Sequence, residues 1–163
     1  MTITGRAAWV YPDHFDVDFI IGAANIGLQE PEEIARCLMK EYEPDFLEKA
    51  APGDLLVAGK NFGYGHGHPQ PMMGMRHIGI TCVVAESFAF PFYRSELASG
   101  MKLFVCPGVA WLAERGDYLT IDVQRGTVSI PGKGSLPLAP LGRYPLEVMK
   151  AGGVIPHLKN TLG

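Results

Sequence analysis

The chain has 163 residues, of which 47% are hydrophobic and 19% charged, with 14 Lys and Arg against 17 Asp and Glu. That length suits one domain with a sizeable core and is short for two. A formal charge of −3 leaves no basic excess to neutralise a phosphate backbone, and the apolar content argues against disorder. The apolar run from Phe104 to Ala113 falls well short of the ~20 residues a membrane span requires, and Met1 to Val10 lacks the apolar stretch of a secretory signal. A cytoplasmic protein with no nucleic-acid or membrane partner is the expectation.

In chain order, Gly5 to Tyr11 reads as a strand ended by Pro12-Asp13. Asp13, Asp16 and Asp18 follow, in Asp-His-Phe-Asp-Val-Asp; without the loop glycine and distal Glu of a calcium loop they read as turn-forming carboxylates that cap backbone N–H groups. Glu30 to Lys40 carries the marks of a helix, with Pro31 near its start, acidic residues in the first turn and Lys40 in the last. A second short helix is expected from Pro44 to Lys49. The pattern then shifts to short apolar runs at Leu55 to Ala58, Ile80 to Ala85 and Lys102 to Cys106. Helix-compatible stretches separate them, Met72 to His77 and Phe92 to Ser99, the latter closed by Gly100. Strands alternating with helices in this way predict a parallel βαβαβ core. Asp117 to Val123 and Thr127 to Ile130, joined through Gln124-Arg-Gly126, predict an added antiparallel hairpin. Gly132 to Gly142 reads as a loop, and Leu146 to Ala151 as a last helix ended by Gly152-Gly153 before the tail.

The three cysteines, Cys37, Cys82 and Cys106, are odd in number, far apart and never in a CxxC pair. They are expected to be reduced core residues, with no metal bound by the chain itself. Chemistry concentrates instead in Lys60-Asn-Phe-Gly-Tyr-Gly-His-Gly-His-Pro-Gln-Pro71, between the first strand of the parallel unit and its helix. Ligands collect outside the carboxyl ends of parallel strands, where glycine-rich turns bring N–H groups close to an anion. Gly63, Gly65 and Gly67 alternate, so the segment is neither GxGxxG nor a P-loop. His66 and His68 are candidate general acid and base residues near neutral pH, or equally solvated loop histidines. Lys60 and Asn61 open the same loop and are candidates to position it or to contact substrate. Arg94 lies within reach of the second parallel strand's end, where it either meets a carboxylate or is solvated. Met72, Met73 and Met75 read as core filler or partner contact.

The sequence resembles the small subunit of isopropylmalate dehydratase, equivalent to the swivelling domain of the aconitase superfamily, over nearly its full length. The resemblance is carried in order by Gly5 to Val10 with Asp13 to Ile21, by Pro52 to Gly63, by Val84 to Ala89 with Phe92-Tyr-Arg94, and by Ala151 to Lys159. It implies an α/β, swivelling β/β/α three-layer domain over residues 1–163, with the parallel core and added hairpin described above. It also implies dehydration and rehydration of a small hydroxy-carboxylic acid, with a [4Fe–4S] cluster carried by a large-subunit partner. The family pattern Asn-Phe-Gly-Cys-Gly-Ser-Ser-Arg-Glu-His is replaced here by Asn61-Phe-Gly-Tyr-Gly-His-Gly-His-Pro-Gln70, so His66 and Gly67 occupy the two Ser positions and His68 the Arg position. Phe90 stands where the family's Ser-Phe-Ala-Arg has its Arg. The resemblance therefore implies His66 and His68 as catalytic residues, with Lys60, Asn61, Gly63, Gly65, Gly67 and Arg94 around the substrate, which is less charged or bulkier than the family's usual one. Two other readings stay open: a degenerate assembly or regulatory subunit, and a metal-binding protein using His66 and His68 with His77.

Overall fold

A computed structural model describes residues 1–65 and 67–163, that is, every residue but His66. Its central strand is the first. β1 (Thr2–Tyr11) pairs through Thr2 to Arg6 with β5 (Tyr118–Asp122), antiparallel, and through Ala7 to Tyr11 with β2 (Leu55–Ala58), parallel, with a register shift between Ala7 and Trp9. Two halves of one sheet thus share a strand. β3 (Cys82–Ala85) and β4 (Lys102–Val105) extend the parallel half, while β6 (Thr127–Ile130) and β7 (Gly134–Pro137) extend the antiparallel half, in the order β4-β3-β2-β1-β5-β6-β7. The two outer strands approach each other: the Ala139 N–H donates to the Val105 carbonyl at 2.8 Å, and Cys106 Sγ lies 3.6 Å from the Pro137 carbonyl. Curling of this degree is what the cumulative strand twist produces when one strand feeds two half-sheets.

The crossovers hold α1 (Pro31–Ala35) and α2 (Phe46–Lys49) between β1 and β2, α3 (Gln70–His77) between β2 and β3, and α4 (Phe90–Ala98) between β3 and β4. α5 (Val109–Leu112) rests on β2 and β3, and α6 (Arg143–Ala151) and α7 (Val154–Leu162) pack beside α4. Every residue of β2 and β3 is buried, as the unbroken apolar runs require of strands covered on both faces. The expected α/β three-layer domain with a parallel core and antiparallel addition is the fold observed.

Several elements differ from expectation. The helix expected over Glu30 to Lys40 stops at Ala35, and the chain goes on in turns through Met39, whose φ is +62°. α4 starts two residues early, at Phe90, because Pro91 is well suited to a helix's first turn. The hairpin is a three-stranded meander, since β7 forms inside the Pro- and Gly-rich loop; Pro137 is tolerated because β7 is an edge strand with no ladder N–H to lose there. The tail is helical: Gly152 and Gly153, at φ +87° and +129°, turn the chain from α6 directly into α7. No helix among the described residues is long and apolar enough to cross a membrane.

Candidate functional site

The loop after β2 is bonded to the chain on both sides. Toward β1, the Gly59 N–H donates to the Tyr11 carbonyl, the Lys60 N–H to Asp13 Oδ1 at 2.7 Å, and the Gly63 N–H to the Phe15 carbonyl at 3.0 Å. Toward β3, the Asn61 N–H donates to Ser87 Oγ and the Phe62 N–H to the Ser87 carbonyl, while the Ala89 N–H returns to the Phe62 carbonyl at 2.9 Å. Phe62 is fully buried, with Tyr11, Phe15, Phe88 and Phe92 rings within 6.4 Å, centroid to centroid. One aromatic thus pins the loop to the core at the carboxyl ends of three adjacent strands. Glycine is needed at two of its positions. Gly63, at φ +89°, has the Phe92 side chain where a Cβ would stand, and Gly65, at φ +90°, would bring a Cβ within 2.8 Å of Asp16 Oδ2.

Beyond the glycines, His68 is held twice by one carboxylate. Its N–H donates to Asp18 Oδ1 at 3.1 Å, and its Nδ1 lies 2.6 Å from Asp18 Oδ2. Asp18 in turn sits in a short 3-10 turn, Val17–Ile20, capped by Asp16, whose Oδ1 accepts the Asp18 N–H at 2.9 Å. This pairing commits Nδ1 of the ring to Asp18 and leaves Nε2 without a partner among the described residues. The imidazole borders a cavity of about 270 Å³. Gly63, Gly65 and Gly67 form the wall on the His68 side, and the first turns of α4 form the other, with Pro91, Phe92, Ser95 and Glu96. Glu96 is buried and tied to Arg76 of α3, whose Nη1 donates to Oε2 at 2.7 Å; burial raises its carboxyl above the ordinary Glu value in spite of that cation. A second depression of about 300 Å³ is lined by Arg6, Lys49 and Arg115. Its cations are already paired, Arg6 with Asp54 and the other two with Asp45, so the cavity at His68 is the better candidate for a ligand.

Lys60, Asn61 and Arg94 do not line this cavity. Lys60 is exposed and joined to Asp13 through its backbone, while the Asn61 side chain meets His14, Nδ2 to Nδ1 at 3.2 Å. Asn61 and His14 hold φ values of +54° and +53°, a sparsely populated conformation for non-glycine residues, on neighbouring strand ends. Arg94 is exposed, its guanidinium 5.5 Å from the centroid of the Phe90 ring, and neither residue lines the cavity. His66 lies outside the described residues. His77 is at the opposite end of α3 from His68. Sequence reading missed Asp18 as the partner of His68, having assigned it a turn; it also missed Glu96, although a Glu four residues after Phe92 falls on the same helix face as that buried aromatic.

The cysteines do not fit an iron–sulfur cluster. Cys82 and Cys106 are buried, which pushes their thiols up to about 12 and about 11, away from the thiolate a cluster needs. Among the described residues no group of three His, Cys, Asp or Glu converges.

No family model matches the chain. It is 36% identical over 163 residues to the 3-isopropylmalate dehydratase small subunit of Halothermothrix orenii, covering 99% of this chain and 98% of that one. It is also 36% identical over 161 residues to the isopropylmalate/citramalate isomerase small subunit of Methanocaldococcus jannaschii, covering 98% and 95%. The crystal structure of 3-isopropylmalate dehydratase from the latter organism superposes with a TM-score of 0.88 at 29% identity, over 99% of this chain and 96% of that one. At this identity over nearly the whole length of both partners, the chain belongs to the 3-isopropylmalate dehydratase small-subunit family.

Proposed function

We propose that this chain is the small subunit of a hydro-lyase that dehydrates and rehydrates a hydroxy acid of the isopropylmalate type, with His66 and His68 in place of the Ser and Arg of the family pattern. The observation that carries this reading is the Asp18–His68 pair beside a glycine-walled cavity at the strand ends. With Nδ1 committed to Asp18, the free Nε2 of His68 accepts a proton from a substrate or, when the ring is protonated, donates one hydrogen bond to a carboxylate. The pair fixes the tautomer and direction of that nitrogen before substrate arrives, which is the part of catalysis that geometry supplies. Gly63 and Gly65 let the backbone approach the ligand as no side-chain-bearing residue at φ near +90° would. His66 is assigned the base role of the first Ser position, and Lys60, Asn61 and Arg94 the outer contacts. The described residues do not fit a cluster, so the [4Fe–4S] group is assigned to a large-subunit partner.

The test is reconstitution with a cluster-bearing large subunit and assay on a panel of hydroxy acids. His68→Ala is expected to lower kcat/KM by about a hundredfold or more while binding of the large subunit persists. Turnover of isopropylmalate at the rate of ordinary family members, indifferent to His66→Ala and His68→Ala, would sink the proposal and favour a subunit that has kept assembly and lost chemistry.

A further inference from the structure

Glu96 is a carboxylate in an uncommon place: 3% exposed, on the inward face of α4, in the wall of the cavity that His68 borders. We propose that Glu96 makes the α4 wall of this cavity a subsite for a neutral, hydrogen-bond-donating group of the substrate, a hydroxyl or a carboxamide, and excludes a second carboxylate from it. The inference rests on the hydroxy-acid reading above and adds which chemical group enters the cavity.

Three observations support it. First, the cation beside Glu96 is already engaged: Arg76 Nη1 donates to Glu96 Oε2 at 2.7 Å, and Arg76 is not among the cavity-lining residues. The described residues that line the cavity include no Lys or Arg, so once His68 has engaged one carboxylate, a second one entering beside Glu96 would meet no permanent cation among them. Second, Pro69 and Pro91 line the cavity at the starts of α3 and α4. A proline there has no N–H, so both helix starts offer an anion fewer donors than they otherwise would. Third, Oε1 of Glu96 has no hydrogen-bond partner among the described residues, while Pro91 and Phe92 give the same wall apolar surface. A hydroxyl or amide N–H directed at Oε1 gains a hydrogen bond to a carboxylate, which is stronger than a neutral one. His68, whose Nδ1 is committed to Asp18, is left to serve the one carboxylate through Nε2.

The decisive experiment is titration calorimetry on the complex reconstituted with its large subunit, using 2-isopropylmalate and its two mono-carboxamides. One of the mono-amides is expected to bind about tenfold or more tightly than the diacid, and Glu96→Gln, which keeps shape and an acceptor but removes the charge, to narrow that ratio at least about fivefold. If the diacid binds the wild-type complex as tightly as both amides, the subsite assignment is overturned while the hydroxy-acid reading stands. If none of the three binds although the two subunits assemble, both readings fail. The wild-type titration decides the matter even if Glu96→Gln does not fold.

Discussion

Asp18 engages His68 with both carboxylate oxygens, one to the backbone and one to the ring. Such a two-point attachment fixes where the imidazole sits as well as which nitrogen is free. Asp18→Asn keeps the shape but can present an amide N–H to Nδ1, which favours the opposite tautomer. Its kcat/KM in the reconstituted complex is expected to fall about tenfold to a hundredfold, with the thermal midpoint of the chain nearly unchanged. A loss of activity matched by a loss of folded protein would instead make Asp18 structural. The glycines divide by what surrounds them. Gly63→Ala places a methyl against Phe92 at φ +89°, and is expected to cost about 2–4 kcal/mol in urea unfolding. Gly67→Ala meets nothing nearer than Val17 Cγ2 at 3.9 Å and is expected to cost less than about 1 kcal/mol. At this scale the loop was legible and its partner was not. Glycines and histidines between a strand and a helix announce a strand-end site by local pattern alone, but Asp18 lies 50 residues from His68 and looks locally like any turn carboxylate.

Among the elements, α4 does most to shape the site, because its inward face carries Phe92 under the loop and Glu96 at the cavity. Burial raises the Glu96 carboxyl above its unfolded value. The protonated form therefore suits the fold better: the stability linked to it is fully present below the ordinary Glu range and is lost as pH rises through the raised value. Glu96→Gln imitates the protonated form at every pH. Its thermal midpoint relative to wild type is expected to be most favourable at pH 7 to 8 and to become less so toward pH 4, as a pair of calorimetric pH series would show; a difference independent of pH would contradict it. The parallel strands and α3 were readable because their periodicity is long enough to count. α1 fell short of its prediction because caps and charges mark where a helix can begin, whereas its end at Ala35 reflects the need to turn Met39 into the core at φ +62°, where it receives the Tyr11 hydroxyl on its sulfur at 3.2 Å. β7 and α7 were unread for a related reason: each takes its structure from the neighbour it packs on, β6 and α6 respectively.

For the whole molecule, the division of labour proposed with the large subunit has a direct chemical test. Cys82 and Cys106 are buried, their thiols held at about 12 and about 11, so neither is poised to bind iron near neutral pH. The chain purified alone under reducing, anaerobic conditions is expected to carry well under about one equivalent of iron by elemental analysis, and to show no cluster absorbance. Stoichiometric iron would overturn that division. The architecture has one more consequence, and it concerns synthesis rather than catalysis. β1 leaves the ribosome before either of its partner strands, yet one of its edges awaits β2 and the other awaits β5, with Thr4 bonded to Thr120 across 116 residues of chain. The central strand is thus born with both edges open, and the second stays open until β5 has been made. A nascent chain of this design is exposed to wrong pairing throughout elongation, and holdase chaperones are expected to bind it until β5 has emerged.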